Sequence, residues 1–144
     1  MVYLDSSALL KLLWPEPESE AVRRSVTTED VVIVSSLADL EAEVQVTSGW
    51  LAGRYGTAAL RRLRAQLAAY RVTDPFRFSA LSGSVFDTAR QQLLDLGRTH
   101  CRTLDRLHLA AMTELGVRRL MTHDDAQARA AAALGMEVVM PGRE

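Results

Sequence analysis

Two aspartates stand at positions where a predicted strand gives way to a helix. Asp5 follows the apolar residues 2–4 and precedes a predicted helix. Asp124 follows a strand predicted over residues 119–122, and Asp125 comes next as a second candidate for the same role. Aspartate is also a favoured helix N-cap, so each position has a structural explanation on its own. The chemical interpretation depends on whether other acidic residues join them.

Two further acids are predicted to face inward from helices. Glu41 falls within the apolar stripe of a helix predicted over residues 37–52, and Asp105 lies at the margin of the stripe of a helix predicted over residues 104–115. An ionised carboxylate among aliphatic side chains is costly unless a positive charge meets it. His108 also lies in the second stripe, and we interpret it as a core histidine rather than a catalytic one. The two stripes consist of Leu37, Leu40, Val44, Ser48 and Leu51, and of Leu104, Leu107, Ala111 and Leu115.

These four acids would repel one another or take up protons if they met without a counter-charge. A hard divalent cation resolves this conflict, because Mg²⁺ and Mn²⁺ bind carboxylate oxygens and retain places for water and phosphate. One such ion, or two ions roughly 4 Å apart, can activate a water and stabilise the charge of a phosphodiester transition state. The predicted chemistry is therefore metal-dependent phosphodiester hydrolysis. Candidate supporting residues beside the acids are Ser6, Ser7, Thr122 and Asp125.

Strands that alternate with helices predict a parallel sheet with helices on both of its faces. In such sheets the functional site forms at the carboxyl ends of the strands, where Asp5 and Asp124 are predicted to lie. The predicted fold class is therefore α/β. Predicted strands cover residues 2–4, 31–34, 71–73, 119–122 and 138–140. Predicted helices cover residues 8–13, 37–52, 57–69, 84–96, 104–115 and 126–134, and a further helix ends near residue 26.

Length and composition are those of a globular protein with one domain. The chain has 144 residues, of which 48% are hydrophobic and 24% charged, and its formal net charge is −1. No apolar run reaches the roughly 18 residues that a membrane span needs, and no basic segment precedes an apolar one as in a signal peptide. The single cysteine, Cys101, rules out an internal disulfide and a thiolate zinc site. We expect a cytoplasmic protein without a membrane partner.

Positive charge is concentrated in arginine-rich segments although the net charge is near zero. Residues 44–73 contain no Asp or Glu, and Lys11 is the only lysine of the chain. Because a guanidinium binds phosphate through two donors, an arginine-rich surface can follow a nucleic-acid backbone. A solvated helix face explains the same pattern, and the sequence leaves both explanations open. The candidate phosphate-binding residues are Arg61, Arg62, Arg64, Arg98, Arg102 and Arg106.

The acidic segments also carry a family resemblance. YLDSSALLKL, SSLADLEAE, TLDRLHLAA, MTHDDAQARAAAALG and the terminal VVMPG resemble, in this order, the PIN domain of VapC-type toxins. The resemblance covers residues 1–144 as a single PIN domain. It implies a three-layer α/β/α fold whose central, mostly parallel sheet has about five strands. It also implies that Asp5, Glu41, Asp105 and Asp124 are both catalytic residues and metal ligands.

The resemblance further implies an activity and partners. The expected activity is that of an endoribonuclease that depends on Mg²⁺ or Mn²⁺, so the arginines above become candidate RNA-binding residues. The expected partners are the RNA substrate, a second copy of the chain in a homodimer, and a cognate VapB-type antitoxin. Such an antitoxin would inhibit the toxin by placing an arginine or an acid in the acidic pocket. One position departs from the family pattern: Gln127 stands where an aliphatic residue is common, which leaves open whether Asp124 or Asp125 is the closer ligand.

Other functions fit the sequence less well. A haloacid-dehalogenase-type phosphatase needs D-x-D, but this chain has Ser7 at the second acidic position. A receiver domain needs an early acidic pair and a late lysine, no G-x-x-x-x-G-K phosphate loop is present, and no spacing supports a catalytic triad. The alternative function is a catalytically silent PIN-like module that binds RNA or a protein, although such a module has no need for clustered inward acids. The identity of the RNA, the number of metal ions and the oligomeric state stay open.

Overall fold

The fold is built on a five-stranded sheet in the part of the chain that the structure, a computed structural model, describes: residues 1–94 and 100–143. The strands are β1 (Val2–Leu4), β2 (Val32–Ser35), β3 (Phe76–Ser79), β4 (Arg119–Met121) and β5 (Glu137–Val139). The helices are α1 (Ser6–Leu13), α2 (Ser19–Thr27), α3 (Ser36–Leu51), α4 (Thr57–Tyr70), α5 (Val85–Leu93), α6 (Thr103–Glu114) and α7 (Asp125–Ala133). The strand order is β3-β2-β1-β4-β5, and every neighbouring pair is parallel. The predicted α/β class with a parallel sheet is confirmed.

The alternation of side chains along the central strand β1 divides the helices between the two faces of the sheet. Val2 and Leu4 point to one face, where they pack with buried residues of α1, α2, α3 and α4. Tyr3 points to the other face, where it packs with buried residues of α5, α6 and α7. All three strand residues are completely buried. The helices therefore form an outer layer on each side, which confirms the expected α/β/α arrangement.

The order of the strands creates a crevice beside β1. From β1 the chain adds β2 and β3 on one side, and it later adds β4 and β5 on the other. In open parallel sheets, ligands bind outside the carboxyl ends of the strands at this point of reversal. Asp5 follows β1, and its N–H donates to the carbonyl of Met121 at the end of β4 (3.2 Å). Asp124 follows β4, so both strand-end aspartates lie at the crevice, as predicted.

One predicted strand is wrong. The residues predicted as the third strand, 71–73, continue the end of α4, where the N–H of Val72 donates to the carbonyl of Ala69 (3.1 Å). The strand begins after Pro75 rather than before it. Proline lacks a donor but keeps its acceptor, and the carbonyl of Pro75 accepts the N–H of Val32 on β2 (2.8 Å). The proline therefore leads into β3 instead of ending a strand.

The other boundaries agree with the predictions to within a few residues. The predicted end of the fifth helix, near residue 96, lies outside the described residues. None of the described helices combines the length and the apolar character that crossing a membrane requires.

Candidate active site

A cavity of about 720 Å³ opens at the carboxyl edge of the sheet. It is formed by the starts of α1, α6 and α7 and by the first half of α3. The four acids that the sequence singled out all contribute to its wall, together with Ser6 and Ser7. The acids are Asp5, Glu41, Asp105 and Asp124.

Asp5 is the most enclosed of the four acids, with only 1% of its surface exposed. It caps α1, because its Oδ1 accepts the N–H of Ala8 (2.9 Å) and the hydroxyl of Ser7 (2.8 Å). Its Oδ2 accepts the hydroxyl of Thr122 (2.6 Å). Burial raises the pKa of Asp5 above its ordinary value, although the hydrogen bonds from Thr122, Ala8 and Ser7 lower it in part. A cation in the cavity would stabilise the ionised form of this carboxyl.

Glu41 lies at the end of a chain of hydrogen bonds formed by the buried side chains of His108, Tyr3 and Ser35. Its Oε2 lies 2.6 Å from Nε2 of His108, whose Nδ1 lies 2.8 Å from the hydroxyl of Tyr3. The Tyr3 hydroxyl also contacts Oγ of Ser35 (2.6 Å). Burial raises the pKa of Tyr3, so its hydroxyl keeps its proton. With a neutral imidazole, every group is satisfied when Tyr3 donates to Nδ1 and Nε2 donates to Glu41.

His108 is thus a positioning residue for Glu41. Its place in an apolar stripe fits a core residue, and it is indeed 1% exposed. The sequence carries no local signal for its partner, because Glu41 lies 67 positions earlier in the chain.

Arg102 joins the other two acids. Its Nε donates to Oδ2 of Asp105 (3.1 Å), and its Nη2 donates to Oδ2 of Asp124 (2.6 Å). Asp124 also caps α7, because its Oδ1 accepts the N–H groups of Ala126 (2.8 Å) and Gln127 (3.0 Å). The hydrogen bond to Asp105 and the charges of both carboxylates raise the pKa of Arg102 further above its ordinary value. The guanidinium is therefore a permanent positive charge between these two acids.

Asp124, rather than Asp125, faces the cavity. The Asp125 side chain is 66% exposed, and its Oδ1 pairs with Nη1 of Arg143 (2.8 Å). Ser7 links two segments beside the site, since its Oγ accepts the N–H of His123 (2.8 Å) while its hydroxyl donates to Asp5. Asp124 therefore lies in the cavity wall together with Asp5, whereas Asp125 is not among the residues that line it.

The inward face of α3 differs from the predicted one. The residues that α3 buries are small: Ala38, Ala42, Val46 and Gly49. Leu40, Val44 and Leu51 of the predicted stripe are instead 60%, 50% and 72% exposed. Small side chains let α3 pack closely against α1 and α4, which leaves the larger ones outside. Glu41 still reaches the cavity, but it does so beside an exposed apolar rim rather than within the core.

The predicted RNA-binding arginines lie in different environments. Arg106 is only 4% exposed, and its Nη1 lies 3.4 Å from Oε1 of Gln92, so its burial removes it from the set that can reach a phosphate backbone. Arg98 lies outside the described residues. Arg102 contacts the acids at the cavity, as described above. The exposed members on α4 are Arg61, Arg62 and Arg64.

The donor set fits a hard divalent cation, although the side chains do not yet enclose one. Among residues 1–94 and 100–143, no group of three His, Cys, Asp or Glu side chains is close enough to hold an ion as it stands. The four carboxylates nevertheless share one cavity, and their oxygens are the ligands that Mg²⁺ and Mn²⁺ prefer. Asp105 and Asp124 already converge on a single cationic group. A metal ion would bind where the acids now meet the guanidinium and the cavity.

Comparisons with known proteins identify the family and the fold of the chain. A family model described as the PIN domain matches residues 2–133. The chain is 37% identical over 143 residues to Ribonuclease VapC46 of Mycobacterium tuberculosis, and the match covers 97% of each chain. The crystal structure of M. tuberculosis VapC20, described as a sarcin-ricin loop cleaving toxin, matches with a TM-score of 0.73 at 18% identity, over 98% of this chain and 100% of that one. FitAcB from Neisseria gonorrhoeae matches with a TM-score of 0.76 at 18% identity over the full length of both chains.

Proposed function

Because the chain belongs to the PIN-domain family and, within it, to the VapC-type ribonucleases, we propose that it is an endoribonuclease that hydrolyses RNA phosphodiester bonds with Mg²⁺ or Mn²⁺. The observation that carries this proposal is the gathering of Asp5, Glu41, Asp105 and Asp124 around one cavity. Cation-assisted hydrolysis needs carboxylates gathered in this way, whereas a module that only binds RNA or a protein does not.

A divalent cation in this cavity would supply charge stabilisation at the phosphate oxygens and make a water a better nucleophile. Asp105 and Asp124 would hold it from the starts of α6 and α7, and Asp5 would hold it from the end of β1. His108 orients Glu41 through Oε2, which leaves Oε1 for the cation or for a proton of the attacking water. Attack by water would leave 5′-phosphate and 3′-hydroxyl ends, whereas cyclic-phosphate products would mean attack by the 2′-hydroxyl.

The RNA would approach across basic residues outside the cavity. Arg61, Arg62 and Arg64 are exposed along α4, and Nη2 of Arg64 donates to Thr47 on α3 (3.1 Å), the helix that carries Glu41. Arginines at such positions bind phosphates without reading the bases. Arg102 stands closest to the acids, so it would meet the phosphate nearest to the cleaved bond.

We further propose that the protein is the toxin of a type II toxin–antitoxin system and is inhibited by a cognate VapB-type antitoxin. Leu40, Val44 and Leu104 are 60%, 50% and 46% exposed beside the acids. A partner segment that combines apolar side chains with an arginine or an acid would fit this rim and block the cavity. A homodimer is the assembly that the family resemblance implies.

Cleavage of RNA by purified protein tests the proposed activity. We expect the wild type to cut RNA with Mg²⁺ or Mn²⁺ and to stop when a chelator is added. The Asp105→Asn variant removes one negative charge from the cavity and should cut at least about a hundredfold more slowly, which is the scale of losing a catalytic electrostatic contact.

Asp87→Asn is the matched control. Asp87 is an exposed acid on α5 that pairs only with Arg90 among the described contacts, at 2.7 Å. The Asp87→Asn variant should cleave RNA like the wild type. RNA binding that persists without any metal-dependent cleavage would instead identify a silent binding module.

A further inference from the structure

We propose that Arg102 is a built-in competitor of the divalent cation: its guanidinium offsets one of the two negative charges of Asp105 and Asp124 until the cation displaces it. This inference rests on the proposed function, because it concerns the same carboxylates. One guanidinium reaches Oδ2 of Asp105 (3.1 Å) and Oδ2 of Asp124 (2.6 Å), although the two acids lie 19 positions apart in the sequence (124 − 105). It therefore occupies the place between two acids that a cation would take.

Helix capping does not explain why the Arg102 guanidinium lies between the two carboxylates. Asp105 accepts the backbone N–H of Arg102 (3.2 Å), so the start of α6 is capped without the guanidinium. Asp124 caps α7 through Oδ1, while the guanidinium contacts its other oxygen, Oδ2. The guanidinium thus adds one positive charge beside two carboxylates that cap their helices without it.

The exposure of Arg102 makes the exchange easy. Its side chain is 74% exposed, whereas those of Asp105 and Asp124 are 9% and 25% exposed. A guanidinium that leaves the carboxylates can enter water without breaking a packed core. Because exposed ion pairs are weak, the competition should be modest, and removing the guanidinium should tighten cation binding by about three- to tenfold. The released side chain stays at the rim of the cavity, where a phosphate of the RNA would meet it.

Titration with Mn²⁺ measures this competition without any RNA. The test compares wild type, Arg102→Gln and Arg143→Gln, with free Mn²⁺ measured by its electron paramagnetic resonance signal at fixed ionic strength. Arg143→Gln is the control, because Arg143 pairs with Asp125 and its loss removes the same charge near the site without touching Asp105 or Asp124. Thermal melting in the absence of metal checks that each variant is folded.

We expect Arg102→Gln to bind Mn²⁺ about three- to tenfold more tightly than wild type, and Arg143→Gln to stay within about twofold. By linkage, saturating Mn²⁺ should also raise the melting temperature of Arg102→Gln more than that of wild type. Unchanged or weaker Mn²⁺ binding by folded Arg102→Gln, or an equal gain in both variants, overturns the inference and leaves the metal site in place. Absence of Mn²⁺ binding in all three proteins overturns the metal site itself.

Discussion

Removing the hydroxyl of Tyr3 tests whether Glu41 depends on its buried support. Tyr3 does not contribute to the cavity wall, so its hydroxyl can affect cleavage only through its two partners, His108, which contacts Glu41, and Ser35, which caps the helix that carries Glu41. The Tyr3→Phe substitution keeps the aromatic ring, which packs edge-on to the His108 ring with centroids 5.8 Å apart. It removes one oxygen atom and both of that atom's hydrogen bonds, at 2.6 Å to Ser35 and at 2.8 Å to His108.

The expected cost to stability follows from which atoms lose a partner. Ser35 keeps the N–H of Ala38 as a donor (3.2 Å) but its hydroxyl loses its acceptor, and Nδ1 of the buried His108 is left without a donor. An unsatisfied buried polar atom costs about 1–3 kcal/mol, so the free energy of unfolding should fall by about that amount for each of these two groups that finds no new partner. Loss of a residue that orients a metal ligand typically costs 10- to 100-fold in activity, and we expect about a tenfold slower RNA cleavage.

Chemical denaturation and initial cleavage rates provide the two measurements, and Tyr55→Phe is the control. The Tyr55 hydroxyl donates to the carbonyl of Val46 (2.5 Å) on the other face of the sheet, so its loss should cost about 1 kcal/mol. Tyr55→Phe should nevertheless cleave RNA at the wild-type rate. A second test combines Tyr3→Phe with Glu41→Gln, in which Tyr3→Phe should slow cleavage no further, because the residue it supports is already disabled.

The reasoning is refuted if Tyr3→Phe is folded, is destabilised as predicted, and still cleaves RNA at the wild-type rate. In that case the hydrogen-bond chain stabilises the fold without orienting Glu41. A full additional loss in the combined variant would also contradict a shared route through Glu41.

Three further predictions concern other parts of the molecule. The raised pKa of Asp5 means that the folded protein binds its proton more tightly than the unfolded chain, so metal-free protein should lose stability as pH rises from the ordinary carboxyl pKa through the raised one. Denaturation of wild type and Asp5→Asn across this pH range should show a loss of stability in wild type only. The same dependence of stability on pH in both proteins would contradict this role of Asp5. Replacing Arg61, Arg62 and Arg64 with Ala should weaken RNA binding and lower its salt slope by about 2, since each phosphate contact on a single strand contributes about 0.7. An unchanged slope would place these residues on a surface or dimer contact. Gln127 is 1% exposed and its Nε2 finds no partner among the described residues, so Gln127→Leu should stabilise the protein by about 1 kcal/mol in urea denaturation, and destabilisation would show that the amide is satisfied.

The strand-end acids were predictable because their signal is local. Asp5 and Asp124 each follow a short strand and cap a helix, and a parallel sheet brings such strand ends to one edge. Glu41 was identified for a reason that the structure corrects. Hydrophobicity alone selects Leu40 and Val44 as the inward face of α3, whereas close packing selects the small residues beside them. Glu41 lies near both faces, so the error in the face did not remove it from the site.

The partners of the acids were not predictable, because they depend on contacts between distant elements. The bond between His108 and Glu41 joins α6 to α3, and the bond between Arg102 and Asp124 joins the start of α6 to the start of α7. Periodicity assigns a residue to a face of its own helix, but it does not say which residue of another helix that face will meet. His108 was therefore interpreted as core, and Arg102 as a surface residue for RNA.

The two pairs of acids are held in different ways, and this difference implies where a cation enters. Asp5 is held by the hydroxyls of Ser7 and Thr122, and Glu41 is held by the buried imidazole of His108. Asp105 and Asp124 share the single positive charge of the exposed Arg102 side chain. A divalent cation arriving from solvent would replace that one charge with two, so the outer pair could accept it without unpairing a buried group. The inner pair would then complete the proposed site without breaking the hydrogen bonds that orient Asp5 and Glu41.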